Sequence, residues 1–272
     1  HWIKVYNGRC AFLNDENLCD MHCQIGPKHM AFTCRQYPDF TIACDTYEVT
    51  GRTLSCPYVA NRIVREKSKT KLIVEGKSND EYENEIFHIV NKCIEIAQDD
   101  SIKYRDREKA IIDYIRKEQM YLVEKFKVDE IFMTEDNKTI WDYCDTLNSL
   151  NVVTEKWPKI LRQLEELEYS ENDIVKFEEY LGNREKEYEN ILVYFLYKHI
   201  MYGTNDGNVF QRVRFAIIAT RIIFMVGLMK YIENEEFTTE DNIKVAYIFS
   251  KEIEHDDENI DTILEDISLG MI

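Results

Sequence analysis

Glycine and proline are scarce in this chain, with nine and four among 272 residues. Beyond one early segment the chain is poor in both and helical in pattern, and no internal repeat or low-complexity tract is present. No glycine-rich turn follows a strand pattern, so a Rossmann-type nucleotide site has no support. No Cys-x-x-Cys pair occurs, which removes the spacing a zinc ribbon or finger needs. Nor does any Ser–His–Asp or Cys–His spacing point to a hydrolase. Basic residues are outnumbered: 34 lysines and arginines face 51 aspartates and glutamates, for a net charge of −17. A chain of that sign repels phosphate backbones, so no nucleic-acid partner is expected, whereas a lysine-bearing protein is attracted; the plain alternative is that the acidity serves solubility. The first residues lack the basic segment and apolar run of an export signal. The most apolar stretch, from Phe215 to Met229, carries Arg221 at its centre. It is too short to span a bilayer and reads as a buried core helix, so no membrane association is expected. The expected compartment is the cytoplasm.

What the chain does have is thiol. Six of its eight cysteines, Cys10, Cys19, Cys23, Cys34, Cys44 and Cys56, fall in one early segment, with His22 and His29 among them. Pro27, Pro38 and Pro57 accompany them, so three of the four prolines lie here too. Thiols this dense fit a disulfide framework, a metal or iron–sulfur site, or simply reduced cysteines. In a reducing compartment the metal reading is favoured, and soft thiolates select an iron–sulfur cluster or zinc. Cys19 and Cys23 make a Cys-x3-Cys, but Gly26 stands where a radical-type motif needs its third cysteine. Cys93 and Cys144 occupy apolar helical positions and read as core. His88 and His199 read as structural histidines on helices, and His255, in an acidic run, as exposed.

Short strands are expected at Trp2–Tyr6, Phe40–Asp45 and around Glu48 to Leu54. Ser55 is positioned to cap a helix from Pro57 to about Glu66, and a polar connection follows to residue 79. From there the period is helical. Tyr82, Ile86, Ile89, Val90, Cys93, Ile94 and Ala97 recur at i, i+3, i+4, i+7, with Ser78 and Glu81 at capping-box spacing before them. A second helix is expected from Asp106 to about Phe126, and shorter ones over Thr139–Leu150, Trp157–Leu167 and from Ser170 to Gly182. Arg184–Tyr202 and the very apolar Val209–Ile232 follow, then Thr239–Glu254 and Asp256–Ile267. The expected fold is therefore mainly α. It pairs a small irregular cysteine-rich N-terminal lobe, 1–66, carrying short strands, with a bundle-like helical body, 67–272. The two are lobes of one unit, because 1–66 is too poor in apolar residues to build a core alone.

Several short motifs, read together, carry a likeness. They are Cys10-Ala-Phe-Leu, Leu18-Cys19, Gly26, Cys34-Arg35-Gln36-Tyr37-Pro38 and Leu54-Ser55-Cys56-Pro57, followed by Tyr188-Glu189-Asn190-Ile191-Leu192-Val193-Tyr194 and the apolar helix after Asp206-Gly207. The chain resembles the flagellin lysine-N-methylase family. The resemblance implies methyl transfer from S-adenosylmethionine to lysine side chains of flagellin or a similar protein, in an enzyme carrying an iron–sulfur cluster. It carries Cys10, Cys19, Cys34 and Cys56 over as metal ligands. Cys23 and Cys44 are additional. Asp39 stands where the family has an arginine after Tyr-Pro, and Tyr58 where it has a glutamate after Ser-Cys-Pro. The family also has cysteines upstream of the first motif, while this chain starts nine residues before Cys10, so the cluster is expected to be incomplete, absent or altered.

A methylase must supply a neutral amine, hold a sulfonium in line with it and exclude water. Arg35 and Tyr37, beside Cys34, and Glu189 and Asn190, inside a helix, are the candidate cofactor-binding residues. The plain alternatives for them are loop packing and a helix flank. Two other functions compete with the enzymatic one. The first is a helical interaction module docked on a structural metal knot. The second is a redox sensor in which Cys19 and Cys23 pair reversibly.

Overall fold

The computed structural model describes residues 5–6, 9–16, 18–76, 78–134 and 138–272. Two short antiparallel ribbons and three small helical pieces make up its first part. Strand β1 (Val5–Tyr6) pairs with β2 (Arg9–Cys10), and β3 (Asp39–Ala43) with β4 (Glu48–Arg52). Residues 2–4 of the first expected strand lie outside the described residues. Helix α1 (Asp20–Ile25), a 3-10 turn at Pro27–His29 and α2 (Phe32–Gln36) fill the stretch between the ribbons. None of these three contains a buried residue. The sequence pattern did not announce them, because each is too short to show a period.

The remainder is helical, as the apolar periodicity requires. After α3 (Pro57–Val64) come α4 (Glu81–Ala97), α5 (Tyr104–Phe126), α6 (Ile140–Ser149) and α7 (Trp157–Glu165). Then follow α8 (Glu171–Leu181), α9 (Glu185–Ile200), the single turn α10 (Gly203–Asp206), α11 (Val209–Asn234), α12 (Thr239–Ile253) and α13 (Asp257–Ser268). The expected stripe on α4 is buried at Ile86, Ile89, Val90, Cys93, Ile94 and Ala97. Helix α8 starts at a capping box, with the Ser170 hydroxyl and the Asp173 side chain each bonding the other's backbone N–H. That arrangement satisfies donors the helix itself leaves open.

Two caps differ from expectation. Asp80, not Ser78, closes α4 by accepting from the Glu83 N–H at 2.8 Å. The Ser78 hydroxyl is engaged elsewhere, with Thr46 at 2.6 Å and Glu83 at 3.2 Å. Likewise Cys56, not Ser55, holds the N-cap position of α3. The freed Ser55 hydroxyl turns towards the C-terminal end of α12.

Helix α11 lies at the centre and packs against α5, α6, α7, α8, α9, α12 and α13. By length and composition it is the one described helix able to cross a membrane, but 72% of its most apolar window is buried inside the protein. Gly227 lets a neighbouring helix approach closely, since a Cβ there would sit 2.6 Å from the Tyr188 hydroxyl. The β3–β4 hairpin joins the same core through Ile42 and Val49, and Leu54, just after it, does so too. Tyr197 donates to the Thr50 carbonyl at 2.7 Å, and the Leu54 N–H donates to the Tyr194 hydroxyl at 3.1 Å. Helix α3 packs on α9 and α12, so the hairpin and α3 rest directly on the helices whose ends form the site described next.

Candidate active site at the end of α12

Three residues on α12 and just beyond it, Tyr247, Lys251 and His255, are spaced by four. That spacing aligns them along one helix face. Opposite them stand Tyr37, Ser55 and Pro57, from the segments flanking the hairpin. Together these six residues line an open cleft of about 410 Å³. His255 Nε2 and Ser55 Oγ are 2.7 Å apart, and Ser55 Oγ is also 3.1 Å from Thr53 Oγ1. The Tyr37 and His255 rings are 6.2 Å apart between centroids.

Behind this pair, of which Ser55 is buried and His255 exposed, lies a buried charge cluster. Glu254, one residue before His255, accepts from Lys198 Nζ at 2.7 Å, from Tyr194 Oη at 3.0 Å, from His199 Nε2 at 2.9 Å and from the Ser250 hydroxyl. The Glu254 side chain is 1% exposed and that of Lys198 9%, so neither charge could persist without the other. Burial alone would raise the Glu254 carboxyl, but Lys198 and His199 outweigh it and hold it well below the usual carboxylate range. Burial likewise pulls Lys198 down, and the Glu254 charge more than reverses that. His199 is carried below its ordinary value by burial, against the Glu254 hydrogen bond, so it stays neutral and donates through Nε2.

The two layers are joined through the backbone. Tyr194 grips residue 54, whose neighbour is Ser55. Ser250, Lys198 and His199 grip residue 254, whose neighbour is His255. The interior cluster therefore anchors the residue next to each partner of the Ser55–His255 contact.

Burial lowers His255 from its ordinary value; Glu254 raises it in part, and Lys198 and Lys251 lower it further. At neutral pH the ring is uncharged and can accept a proton. Burial pushes the Tyr37 hydroxyl up, its hydrogen bond to Ser55 brings it partly back, and the Cys56 thiol pushes it up again.

Of the residues singled out in the sequence, Tyr37 lines this cleft, whereas Arg35 is exposed on α2. Glu189 is buried in an ion pair with Arg107, at 2.6 Å, and with Lys186. Asn190 donates to the Glu66 carbonyl at 2.8 Å and ties down the segment after α3. Glu189 sits nine residues before Lys198 on α9, roughly 14 Å along the axis, so this pair holds the body together away from the cleft. Cys93 and Cys144 are core residues, as expected. His199 is buried, His88 is exposed rather than structural, and the exposed His255 turns out to be engaged with Ser55. The signal that could have found His255 was its place in the four-residue series Tyr247, Lys251, His255.

The implied metal ligands lie on separate elements: Cys10 on β2, Cys19 before α1, Cys34 on α2 and Cys56 before α3. Among the described residues, no three His, Cys, Asp or Glu side chains stand together in a way that could hold a metal ion. This donor set, as arranged, does not fit a cluster. Every described cysteine is a free thiol, with Cys23 and Cys34 exposed and the Cys44 thiol 3.5 Å from the Thr204 hydroxyl.

A family model described as the FliB lysine N-methylase C-terminal domain matches residues 91–269. No curated protein and no solved structure matched the chain. The matched residues include Tyr247, Lys251 and His255 together with the interior cluster, while Tyr37 and Ser55 precede them. Spanning about two thirds of the sequence, that match establishes that the chain belongs to the FliB lysine N-methylase family.

Proposed function

We propose that this protein transfers the methyl group of S-adenosylmethionine to lysine side chains of flagellin or a similar lysine-bearing protein, and that it does so in the cleft between Tyr37 and Tyr247. Family membership supports protein lysine methylation. One observation supports the place: two tyrosine rings, one lysine and one neutral histidine line a single open cleft. A methyl sulfonium and a lysine ammonium are both cations, and aromatic faces attract cations without neutralising them. Lys251 supplies the opposite preference and suits the donor's carboxylate. The net charge of −17 favours approach of a lysine-rich surface. The donor supplies the methyl group; Tyr37, Tyr247 and Lys251 bind and orient it, and positioning of this kind carries much of the rate. The iron–sulfur cluster that the resemblance implies finds no gathered ligand set among the described residues, so no step is drawn through it.

The test is methyl incorporation from labelled S-adenosylmethionine into flagellin by the full chain. Label is expected on lysine ε-amines, and prior acetylation of the flagellin should abolish it. A chain that binds flagellin yet transfers no methyl group, whether prepared with or without oxygen, would instead be an interaction module.

A further inference from the structure

The cleft has two walls from distant parts of the chain. Tyr37, Ser55 and Pro57 form one, and Tyr247, Lys251 and His255 the other. A donor gripped between rings on both walls meets an incoming amine in line only at one wall spacing. We propose that Tyr194, which lies behind the cleft, is a positioning residue for methyl transfer: its single hydroxyl ties the two walls together and sets that spacing. This rests on the methylase reading and adds to it the group that holds the cleft at its working width.

The geometry is specific. Tyr194 is buried on α9, among residues from Glu187 to Leu196 that are all buried. Its Oη accepts from the Leu54 N–H at 3.1 Å and donates to Glu254 at 3.0 Å. An N–H only donates and a carboxylate only accepts, so the two partners fix the direction of the hydroxyl. Leu54 precedes Ser55, and Glu254 precedes His255. On the first wall the Thr53 N–H donates to the Pro38 carbonyl at 2.8 Å, so Tyr37, next to Pro38, is carried along with Leu54. On the second wall the Glu254 N–H donates to the Ser250 carbonyl at 2.9 Å, which joins Glu254 to the helix bearing Tyr247 and Lys251.

The other links between the walls differ in kind. The Ser55–His255 contact ends on an exposed ring, where water competes for the bond. Helix α3 packs on α12 and keeps the walls adjacent, but apolar packing is not directional. Leu54 is fully buried, so its N–H has no water to turn to once the Tyr194 hydroxyl is gone.

The experiment compares kcat and both KM values for methyl transfer to flagellin in the unaltered protein, Tyr194→Phe and Tyr197→Phe, with a urea midpoint for each. Tyr197, on the same helix, donates to the Thr50 carbonyl of the same hairpin at 2.7 Å and bonds nothing on α12 among the described residues. It therefore controls for a lost hydroxyl and a loosened hairpin. Both variants should unfold at lower urea. Only Tyr194→Phe should lose kcat, by about 10²-fold, with either KM rising far less. A loss carried mainly by KM, equal losses of kcat in the two variants, or full activity in Tyr194→Phe would overturn the assignment. If Tyr194→Phe fails to fold, hydrogen exchange in the unaltered protein decides. The Leu54 amide should be protected as strongly as those of α9, and rapid exchange there would overturn the tie. Absence of any methyl transfer by the unaltered protein would instead sink the methylase reading on which the inference rests.

Discussion

Glu254→Ala is expected to destabilise the protein by about 3–5 kcal/mol, because it leaves the Lys198 ammonium buried without its counter-ion. The carboxylate also anchors His199, Tyr194 and Ser250, so the loss reaches four partners at once. Lys198 keeps two weaker contacts, with its Nζ 5.2 Å from the Phe40 ring centroid and 5.9 Å from that of Tyr194. Those ring contacts do not replace a carboxylate. The double variant Glu254→Leu with Lys198→Met should recover much of the loss, because replacing both partners by apolar groups removes the desolvation cost as well. Urea unfolding of Glu254→Leu, Lys198→Met and the double variant forms the cycle that measures this coupling.

The pH dependence has a definite sign. The folded state holds Glu254 below its ordinary value, so its contribution is complete above the unfolded carboxylate range, about 4.3. It is lost as pH falls towards the folded value, where the unfolded chain binds the extra proton. His199, also held low in the folded state, adds a loss that begins near its unfolded value of about 6.5 and grows on further acidification. Between pH 5 and 3 the unaltered protein should therefore lose stability more steeply than Glu254→Ala. Equal slopes would mean that this carboxylate is not the buried anion described.

Lys251→Glu should leave the fold intact and raise KM for S-adenosylmethionine about tenfold or more. Lys251 is exposed and lines the cleft, so its replacement breaks no buried contact. A charge-assisted hydrogen bond to the donor's carboxylate is worth about 1.5–3 kcal/mol, and reversing the charge turns attraction into repulsion. Competition with S-adenosylhomocysteine, which keeps the carboxylate, should weaken in parallel. The KM for flagellin should not rise, since a lysine substrate gains nothing from a cation at this position. An unchanged KM for the donor, in a variant that still methylates, would place the donor elsewhere.

The helical body was legible because its apolar residues repeat with a helical period. The stripe from Ile86 to Ala97 lies on α4, and the apolar run after Val209 lies on α11, close to the expected boundaries. The site was much less legible. Glu254 belongs to an acidic run that resembles a solvated helix face. Its burial depends on Lys198 and His199, more than fifty residues earlier, and no local pattern shows that pairing. Ser55 looked like a helix cap because serine often is one; in the folded chain Cys56 takes that position and the hydroxyl faces a histidine 200 residues away. The cysteines were expected to converge because loops bend freely. In the folded chain Cys10 lies in a strand pair and Cys34 on a short helix, and no ligand set gathers among the described residues. Tyr37 is the one candidate site residue that the fold brings to the cleft.

A crystal structure of the full chain with S-adenosylhomocysteine tests the central claim most directly. The ligand should lie between the Tyr37 and Tyr247 rings with its carboxylate at Lys251 Nζ and its sulfur facing Ser55. Density for the ligand at any other place, with the cleft filled only by solvent, would contradict the account.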